Sequence, residues 1–470
     1  MPVPDTFLAA TVNKPYAQHV VSNRSLQPLE SGEVAIKITA TAINPVDWKI
    51  RDYNFFIKEY PAVLGSDAAG EIVAVGADVS NFAVGDRVFF QGIIGRYDSS
   101  TFQQYCKMPA ALVSKTPSNI SDDQAAGISL ATVAVVTAFY DKSGQGLTPP
   151  WDPNGPQVGN GKAIVIIGGA SSVGQYAIQL AKLSGFEKIV TNASAQNHEW
   201  LKKLGAHVVL DRAHSSPEDF KAAIGGLPLE FVFDAISVKA TQALGVEIVQ
   251  ATKGADKIVT VQGADSDAIA LGQSKEPKVA VKQVLGLGSS PALRYLSEPL
   301  VKHLGGEDGY IAKNLFVPNR VHLVKGGLNT VEQALAKNKE GVSGEKVAMT
   351  PSRPSISWDE VNNAPHEVEW SEGLIGAPAA YQAAEKYEEH VAANGKYFPY
   401  SISLSNLRME PSNLLLSRQA RKPGSSEGNP PWACGVFVDR IIETKGLDFN
   451  DTKKAKYLAN SHRVDIIAEG

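Results

Sequence analysis

Between residues 162 and 300 short apolar runs alternate with stretches of helical spacing. Residues 163–167 are all apolar, and the β-branched Ile164, Val165, Ile166 and Ile167 suit a strand covered on both faces. Residues 188–191, 208–211, 231–234 and 257–261 are further runs of strand length, with helical stretches between them. This alternation predicts an α/β fold with a doubly wound parallel sheet. After the first strand, Val173, Ala177, Leu180 and Ser184 fall at helical spacing, so a narrow apolar stripe can pack on the sheet. Ligands of such sheets bind at the carboxyl ends of the strands, which here are the turns after Ile167, Thr191 and Phe233.

The chain before this region is patterned differently. Residues 34–40 alternate apolar and polar positions as a half-buried strand does, and 71–76 and 87–90 are further strand candidates. Gly70, Gly76, Gly85 and Gly92 punctuate them as turns or bulges. Residues 122–140 are rich in Ala and helical, whereas 141–161 are dense in Gly and Pro and read as a loop inserted ahead of the central strand. A last βα-like segment spans 320–349. Beyond it, Pro351, Pro354, Pro365, Pro399 and Pro411 interrupt the pattern, and 422–431 are rich in Pro, Gly and Ser. Trp358, Trp370 and Trp432 argue against simple disorder there, but no repeat or chemical motif gives the segment a role.

Composition narrows the class. With 470 residues the chain has room for two or three domains, and 43% hydrophobic and 20% charged residues are those of an ordinary globular protein. A net charge of −4 gives no reason to expect nucleic acid or a membrane as a partner. Cys106 and Cys434 are the only cysteines, which excludes a disulfide framework and an all-cysteine zinc lobe and fits a reducing compartment. No apolar run is expected to reach the roughly 18 residues of a membrane span. The first five residues have neither the basic nor the apolar region of a signal peptide, so the expectation is cytoplasmic.

Candidate chemistry begins at the turn after residue 167. Gly168 and Gly169 permit a tight turn and a close backbone approach, and Ser171, Ser172 and Val173 open a helix whose free N–H groups favour a pyrophosphate. The spacing departs from Gly-x-Gly-x-x-Gly, since four residues separate Gly169 from Gly174. A ligand-free structural turn fits the pattern as well, but a second apolar strand at 188–191 completes a βαβ unit of dinucleotide-binding length. An NAD site needs an acidic residue at the end of that strand. Here the strand ends in Thr191, Asn192, Ala193 and Ser194, with no carboxylate to repel a 2′-phosphate, which favours NADPH.

Several co-linear motifs extend this reading. Asn44-Pro45-Val46-Asp47-Trp48-Lys49, residues 64–73 from Leu64-Gly65-Ser66-Asp67, residues 82–88, Leu204-Gly205-Ala206, Phe233-Asp234 and residues 341–346 occur in order. Through them residues 1–350 resemble the medium-chain dehydrogenase/reductase superfamily, and within it the fungal quinone-oxidoreductase-like branch that includes stand-alone enoyl reductases serving polyketide synthases. The resemblance implies a GroES-like catalytic domain over 1–140 completed by 306–350. It also implies a Rossmann NADPH-binding domain over 141–305, and it leaves 351–470 as a C-terminal extension of unknown fold. It implies that Ser194 and Asn197 contact the 2′-phosphate, with His198 or Lys202 adding charge, although both Ser and Asn are also common helix caps. It further implies that Val46 and Thr137 lie near the nicotinamide, and that Arg212 stands where relatives carry a tyrosine near the adenine.

The departures matter as much. Zinc dehydrogenases place Cys where this chain has Asn44 and Gly-His-Glu where it has Gly65-Ser66-Asp67. Asn44 and Ser66 cannot complete a zinc site, so no metal is expected and Asp67 reads as a structural residue hydrogen-bonded to its own turn. Hydride addition to an enone or enoyl thioester puts negative charge on the carbonyl oxygen and requires a proton at the α carbon. Asn44 could donate a hydrogen bond to that oxygen. Lys49, which matches a lysine of the fungal enoyl reductases, could supply charge or a proton, with Tyr53 and Tyr140 as other donors. The implied activity is an NADPH-dependent reduction of an activated double bond in fungal polyketide biosynthesis, with a small-molecule or carrier-protein-bound substrate, by a monomer or homodimer. A zinc-free quinone reductase, a carbonyl-reducing dehydrogenase, and a non-catalytic nucleotide-binding scaffold are the alternatives.

Overall fold

A computed structural model describes residues 3–352 and five short strands between residues 401 and 468. The chain divides into two units, Met1–Pro354 and Ser355–Gly470. The first unit opens on an antiparallel hairpin, β1 (Phe7–Val12) and β2 (His19–Arg24), that the apolar pattern alone does not single out. β3 (Glu33–Ala42) leads into the short helix α1 (Pro45–Tyr53), and β4 (Ala62–Val63) returns to pair with β1. β5 (Asp67–Val75), β6 (Arg87–Gln91), β7 (Tyr105–Pro109) and β8 (Val113–Lys115) complete an antiparallel array around β3. Val34, Ile36 and Ile38 of β3 pack with Ile72, Val88, Phe90 and Met108. The pairing with β5 shifts register between Ile38 and Ala40, and from there Ala40 and Ala42 join a different core.

That second core is built on α2 (Asp122–Ala125) and α3 (Ser129–Tyr140). Among the described residues, Asp122–Tyr140 is long and apolar enough to be a candidate membrane span, yet 83% of it is buried inside the fold. It is a core helix, apolar on all sides because it lies between two sheets. Phe139 meets Phe231 and Phe233 edge to face, with ring centroids 5.2 and 5.6 Å away.

Next comes the parallel sheet. β9 (Ala163–Ile167) is followed by α4 (Ser172–Leu183), β10 (Lys188–Ala193), α5 (His198–Leu204), β11 (Val208–Asp211) and α6 (Pro217–Ile224). β12 (Leu229–Asp234), α7 (Lys239–Thr252), β13 (Lys257–Thr260), α8 (Ser266–Ser274) and β14 (Ala280–Gln283) form the other half. The strand order is β11-β10-β9-β12-β13-β14, and every pairing is parallel. Strand order reverses between β9 and β12, which opens a crevice at their carboxyl ends. The doubly wound sheet expected from the apolar runs is present.

After α9 (Arg294–Leu304), the chain returns to the first sheet. β15 (Arg320–Val324) and β16 (Glu345–Met349) pair in parallel, joined by α10 (Val331–Glu340), and β16 pairs antiparallel with β3 through Ala348–Ala42 and Met349–Thr41. The return buries Val331, Leu335, Val347 and Met349 against Ile43, Ile50, Leu64 and Phe102. At about 1.5–3 kcal/mol for each large apolar side chain removed from water, this docking is strong. It also brings Lys346 beneath residues 44 and 67.

In the second unit, β17 (Ser401–Leu404), β21 (Val464–Ala468) and β19 (Cys434–Phe437) form an antiparallel sheet, and β18 (Leu415–Ser417) pairs with β20 (Lys454–Lys456). The prolines from 354 to 411, the three tryptophans and the 422–431 segment lie outside the described residues.

Candidate active site

The glycine turn sits where the apolar pattern puts it, at the carboxyl end of β9. Gly168 has a left-handed φ of 80°. A Cβ on Gly169 would fall 2.2 Å from Thr191 Oγ1, so this residue is small for packing against the next strand. Asn192 Oδ1 accepts from Gly168 N at 2.9 Å and pins the turn to β10. Ser171 caps α4: its Oγ accepts from Gly174 N at 3.0 Å, while its own N–H is spent on Gly168 O. The N–H groups of Ser172 and Val173 have no partner among the described residues, so the candidate anion site narrows from three donors to these two.

The expected phosphate contacts divide. Ser194 is half-buried just beyond β10, with no carboxylate beside it in the chain. Asn197 does not face a ligand. It is 1% exposed, donates to Ser343 Oγ at 2.8 Å and accepts from Arg320, so it anchors the return segment instead. His198 turns its Nε2 to Ala193 O at 3.0 Å, and Lys202 pairs with Glu199 at 2.9 Å. Arg212 is exposed and its backbone N–H reaches Ala193 O, one strand over from Ser194. Thr137 is buried in α3 with its hydroxyl donated to Val133 O, and Val46 is half-buried at the start of α1. Asp234 closes β12; its Oδ1 accepts from Ile236 N and Ser237 N and so shapes the next turn.

Asn44 is corrected more sharply. It is 2% exposed, its amide hydrogens point to Ser66 Oγ and Asp67 Oδ2 (3.3 Å each), and its Oδ1 accepts from Lys346 Nζ. No donor remains for a substrate oxygen. Asp47 accepts from Asn44 N and from Ser66 Oγ, both at 2.7 Å, and Asp67 accepts from Leu130 N at 3.0 Å. Asp67 is structural, as expected, although it ties down α3 rather than its own turn. Burial pushes Asp67 up to about 7 and Asp47 up to about 6, and pushes the Lys346 ammonium down. Lys346 Nζ lies 3.8 Å from Asp67 Oδ2, so desolvation outweighs their attraction at both ends.

This donor set does not fit zinc. A catalytic zinc takes three thiolate, imidazole or carboxylate ligands and keeps one open position. Here an amide, a hydroxyl and carboxyls driven toward neutrality surround an ammonium that would repel a dication. Among the described residues no group of three or more His, Cys, Asp or Glu side chains could hold a metal ion.

Lys49 is the expected site residue that reaches the crevice. From α1 its Nζ donates to Gln262 Oε1, just past β13, and lies 5.4 Å over the Trp48 ring. Burial lowers its proton affinity. The other proposed donors are set aside. Tyr140 is buried with its hydroxyl bonded to Ser184 Oγ at 2.7 Å, and Tyr53 is 63% exposed on the surface. The sequence singles out neither Lys346 nor Gln262: Lys346 belongs to the 341–346 motif, but nothing local points it at residue 44.

Comparison with known proteins agrees with this architecture. The family model for the alcohol dehydrogenase GroES-like domain matches residues 30–118, and that for zinc-binding dehydrogenase matches 172–285. A third, described as virulence factor CipC-like, matches 357–403, almost wholly outside the described residues. The chain is 31% identical to trans-enoyl reductase himH of Aspergillus japonicus over 74% of this chain and 99% of that protein. It is 38% identical to dehydrogenase pigH of Monascus ruber over 42% of this chain and 56% of that one. Among solved structures, Escherichia coli quinone oxidoreductase complexed with NADPH superposes with a TM-score of 0.53 at 21% identity, covering 74% of this chain and 100% of that one. With two co-linear family matches, a near full-length relative and a strand order of the nucleotide-binding type, the chain belongs to the medium-chain dehydrogenase/reductase superfamily and is an oxidoreductase of that family.

Proposed function

We propose that this oxidoreductase uses NADPH to reduce an activated carbon–carbon double bond, in an enone or enoyl thioester, within fungal polyketide-type secondary metabolism. The observation that carries the reading is Lys49: a half-buried ammonium delivered from the mixed sheet to the carboxyl-end crevice of the parallel sheet. The trans-enoyl reductase that shares nearly its whole length with this chain supports the reaction class. The strand end at Ala193–Ser194, free of carboxylates, supports NADPH, as does the NADPH named with the E. coli quinone oxidoreductase. The reading includes a cytoplasmic monomer or homodimer and a substrate that arrives free or on a carrier protein.

When bound, the reduced nicotinamide supplies the hydride. The Ser172 and Val173 N–H groups hold the diphosphate, and the Ser194 hydroxyl meets the 2′-phosphate with Arg212 beyond it. Lys49 stabilises the negative charge that develops on the substrate carbonyl and holds the proton destined for the α carbon. Lys346, Asp47 and Asp67 keep α1 in place and touch no substrate.

Loss of NADPH absorbance with enones, enoyl thioesters and quinones tests this. Turnover of an enoyl thioester should be insensitive to EDTA and fall about 100-fold in Lys49→Ala, with NADPH affinity within about twofold. A rate with quinones alone would move the assignment to a quinone reductase. NADPH binding without turnover on any class would make the chain a nucleotide-binding scaffold, and no NADPH binding would remove the reading altogether.

Cofactor choice has its own test. A carboxylate beside the 2′-phosphate is repulsive, so Ser194→Asp should raise the KM for NADPH by about 10–100-fold and improve use of NADH. Equal effects on both cofactors would show that Ser194 does not meet the phosphate.

A further inference from the structure

We propose that Gln262 is the positioning residue that holds Lys49 across the crevice and, by facing it with a neutral oxygen instead of a carboxylate, keeps it ready to give up its proton. The inference rests on the proposed function in one respect, the role of Lys49 as proton source. The geometry of the pair stands independently.

The Gln262 amide has one available orientation. Its Nε2 donates to Ile236 O at 2.6 Å, and a carbonyl there demands a donor, so Oε1 must turn to Lys49. The backbone around it is clamped. Thr260 Oγ1 donates to Gln262 O at 2.8 Å and Gln242 Nε2 to Gly263 O at 2.9 Å. Asp265 N donates to Gln242 Oε1 at 2.8 Å and Val261 N to Ser237 Oγ at 2.9 Å. The acceptor is therefore built on the parallel sheet, whereas its donor comes from α1 of the other sheet.

The charged groups on packed elements are already committed. On α1, Arg51 pairs with Asp52 at 2.7 Å and with Glu332 of α10. Lys339 of α10 lies 5.1 Å over the same Trp48 ring and pairs with Asp52 at 2.7 Å. On the parallel-sheet side Asp265 accepts from the N–H groups of Asp267 and Ala268, and Asp267 pairs with Lys239. Among the described residues Lys49 has no ion-pair partner. An ammonium facing a carboxylate holds its proton more tightly, whereas one facing an amide oxygen is oriented without that gain. Burial then lowers its proton affinity with no carboxylate to reverse it.

The step balances. A bound reduced nicotinamide would supply hydride to the β carbon and end oxidised, and the displaced π electrons would leave the substrate as an enolate that needs a proton at its α carbon. A Lys49 N–H bond then breaks as the α C–H bond forms, leaving a neutral amine that takes a proton from solvent.

Competitive labelling with acetic anhydride across pH, read lysine by lysine by mass spectrometry on the full chain, tests the pairing without any need for turnover. Lys49 should titrate below the ordinary lysine value of 10.5, and Gln262→Glu should raise its midpoint by about one unit. An unchanged midpoint overturns the inference. The pH dependence of turnover then separates the two claims. The alkaline limb of kcat should move up with the labelling midpoint in Gln262→Glu. Gln262→Met should lower kcat about tenfold, with KM for NADPH within about twofold. A shifted midpoint with an unmoved limb would keep Gln262 as the partner of Lys49 and remove Lys49 as the proton source.

Discussion

A Lys346→Ala variant is expected to unfold more easily than the parent chain by about 3–5 kcal/mol, the usual cost of removing one partner from a buried charged cluster. Lys346 is 3% exposed, and its ammonium is the cation held among Asn44, Asp47 and Asp67. Without it the Asn44 oxygen loses its donor and two carboxyls lose their counter-charge. The deficit should also depend on pH. Both aspartates start from 3.8 and are raised on folding, Asp47 to about 6 and Asp67 to about 7, because burial disfavours the charged form. Above pH 4 or so the unfolded chain sheds protons that the folded chain retains, so these groups subtract from stability as pH rises toward their folded values. In the variant no ammonium opposes burial, so the folded values climb and the loss extends further up in pH. Urea unfolding at about pH 5 and about pH 8 should show the larger deficit at the higher pH. Lys346→Met, which fills most of the volume, should keep that pH dependence while recovering part of the loss. A deficit below about 1 kcal/mol, or one equal at both pH values, would show that Lys346 is not the counter-charge.

Gly174→Val is the second large effect. A Cβ on Gly174 would lie 2.3 Å from Gly168 O and 2.8 Å from Gly169 Cα. Both obstacles are backbone, so no rotamer relieves the clash, and α4 must move away from the turn. That breaks the Ser171 cap on Gly174 N and displaces the free N–H groups of Ser172 and Val173. We expect a loss of more than about 4 kcal/mol in stability and at least a 100-fold loss in NADPH affinity. Gly174→Ala should fall between variant and parent in both. Nucleotide fluorescence titration beside thermal unfolding reads the two together. Parent-like NADPH affinity in a folded Val variant would mean that the diphosphate does not bind at this helix end.

The parallel sheet was legible because its information is local. The apolar runs Ala163–Ile167 and Phe231–Phe233 need both faces covered, and helical spacing between them leaves few other folds. The strand end without a carboxylate at Ala193–Ser194 was equally legible, since it is a property of four consecutive residues. The N-terminal hairpin was less so: His19–Arg24 is mostly polar and half-exposed, with no apolar alternation to announce it.

What the residues do at the site is another matter. Asn44 and Asn197 have side chains suited to a ligand, and each is consumed by a partner far away in the chain: Lys346 is 302 positions from Asn44, and Ser343 is 146 from Asn197. Lys49 is marked by its match to a lysine of the fungal enoyl reductases, but its partner Gln262, 213 positions on, is set by the fold alone. Sequence by itself determined the strands and helices of the parallel sheet, the glycine turn and the chemical inventory, because periodicity and turn chemistry act over a few residues. Only the tertiary structure decided which polar groups satisfy each other and which stay free for a ligand. That choice is made by burial: a polar side chain taken out of water binds whichever partner the closing chain brings to it.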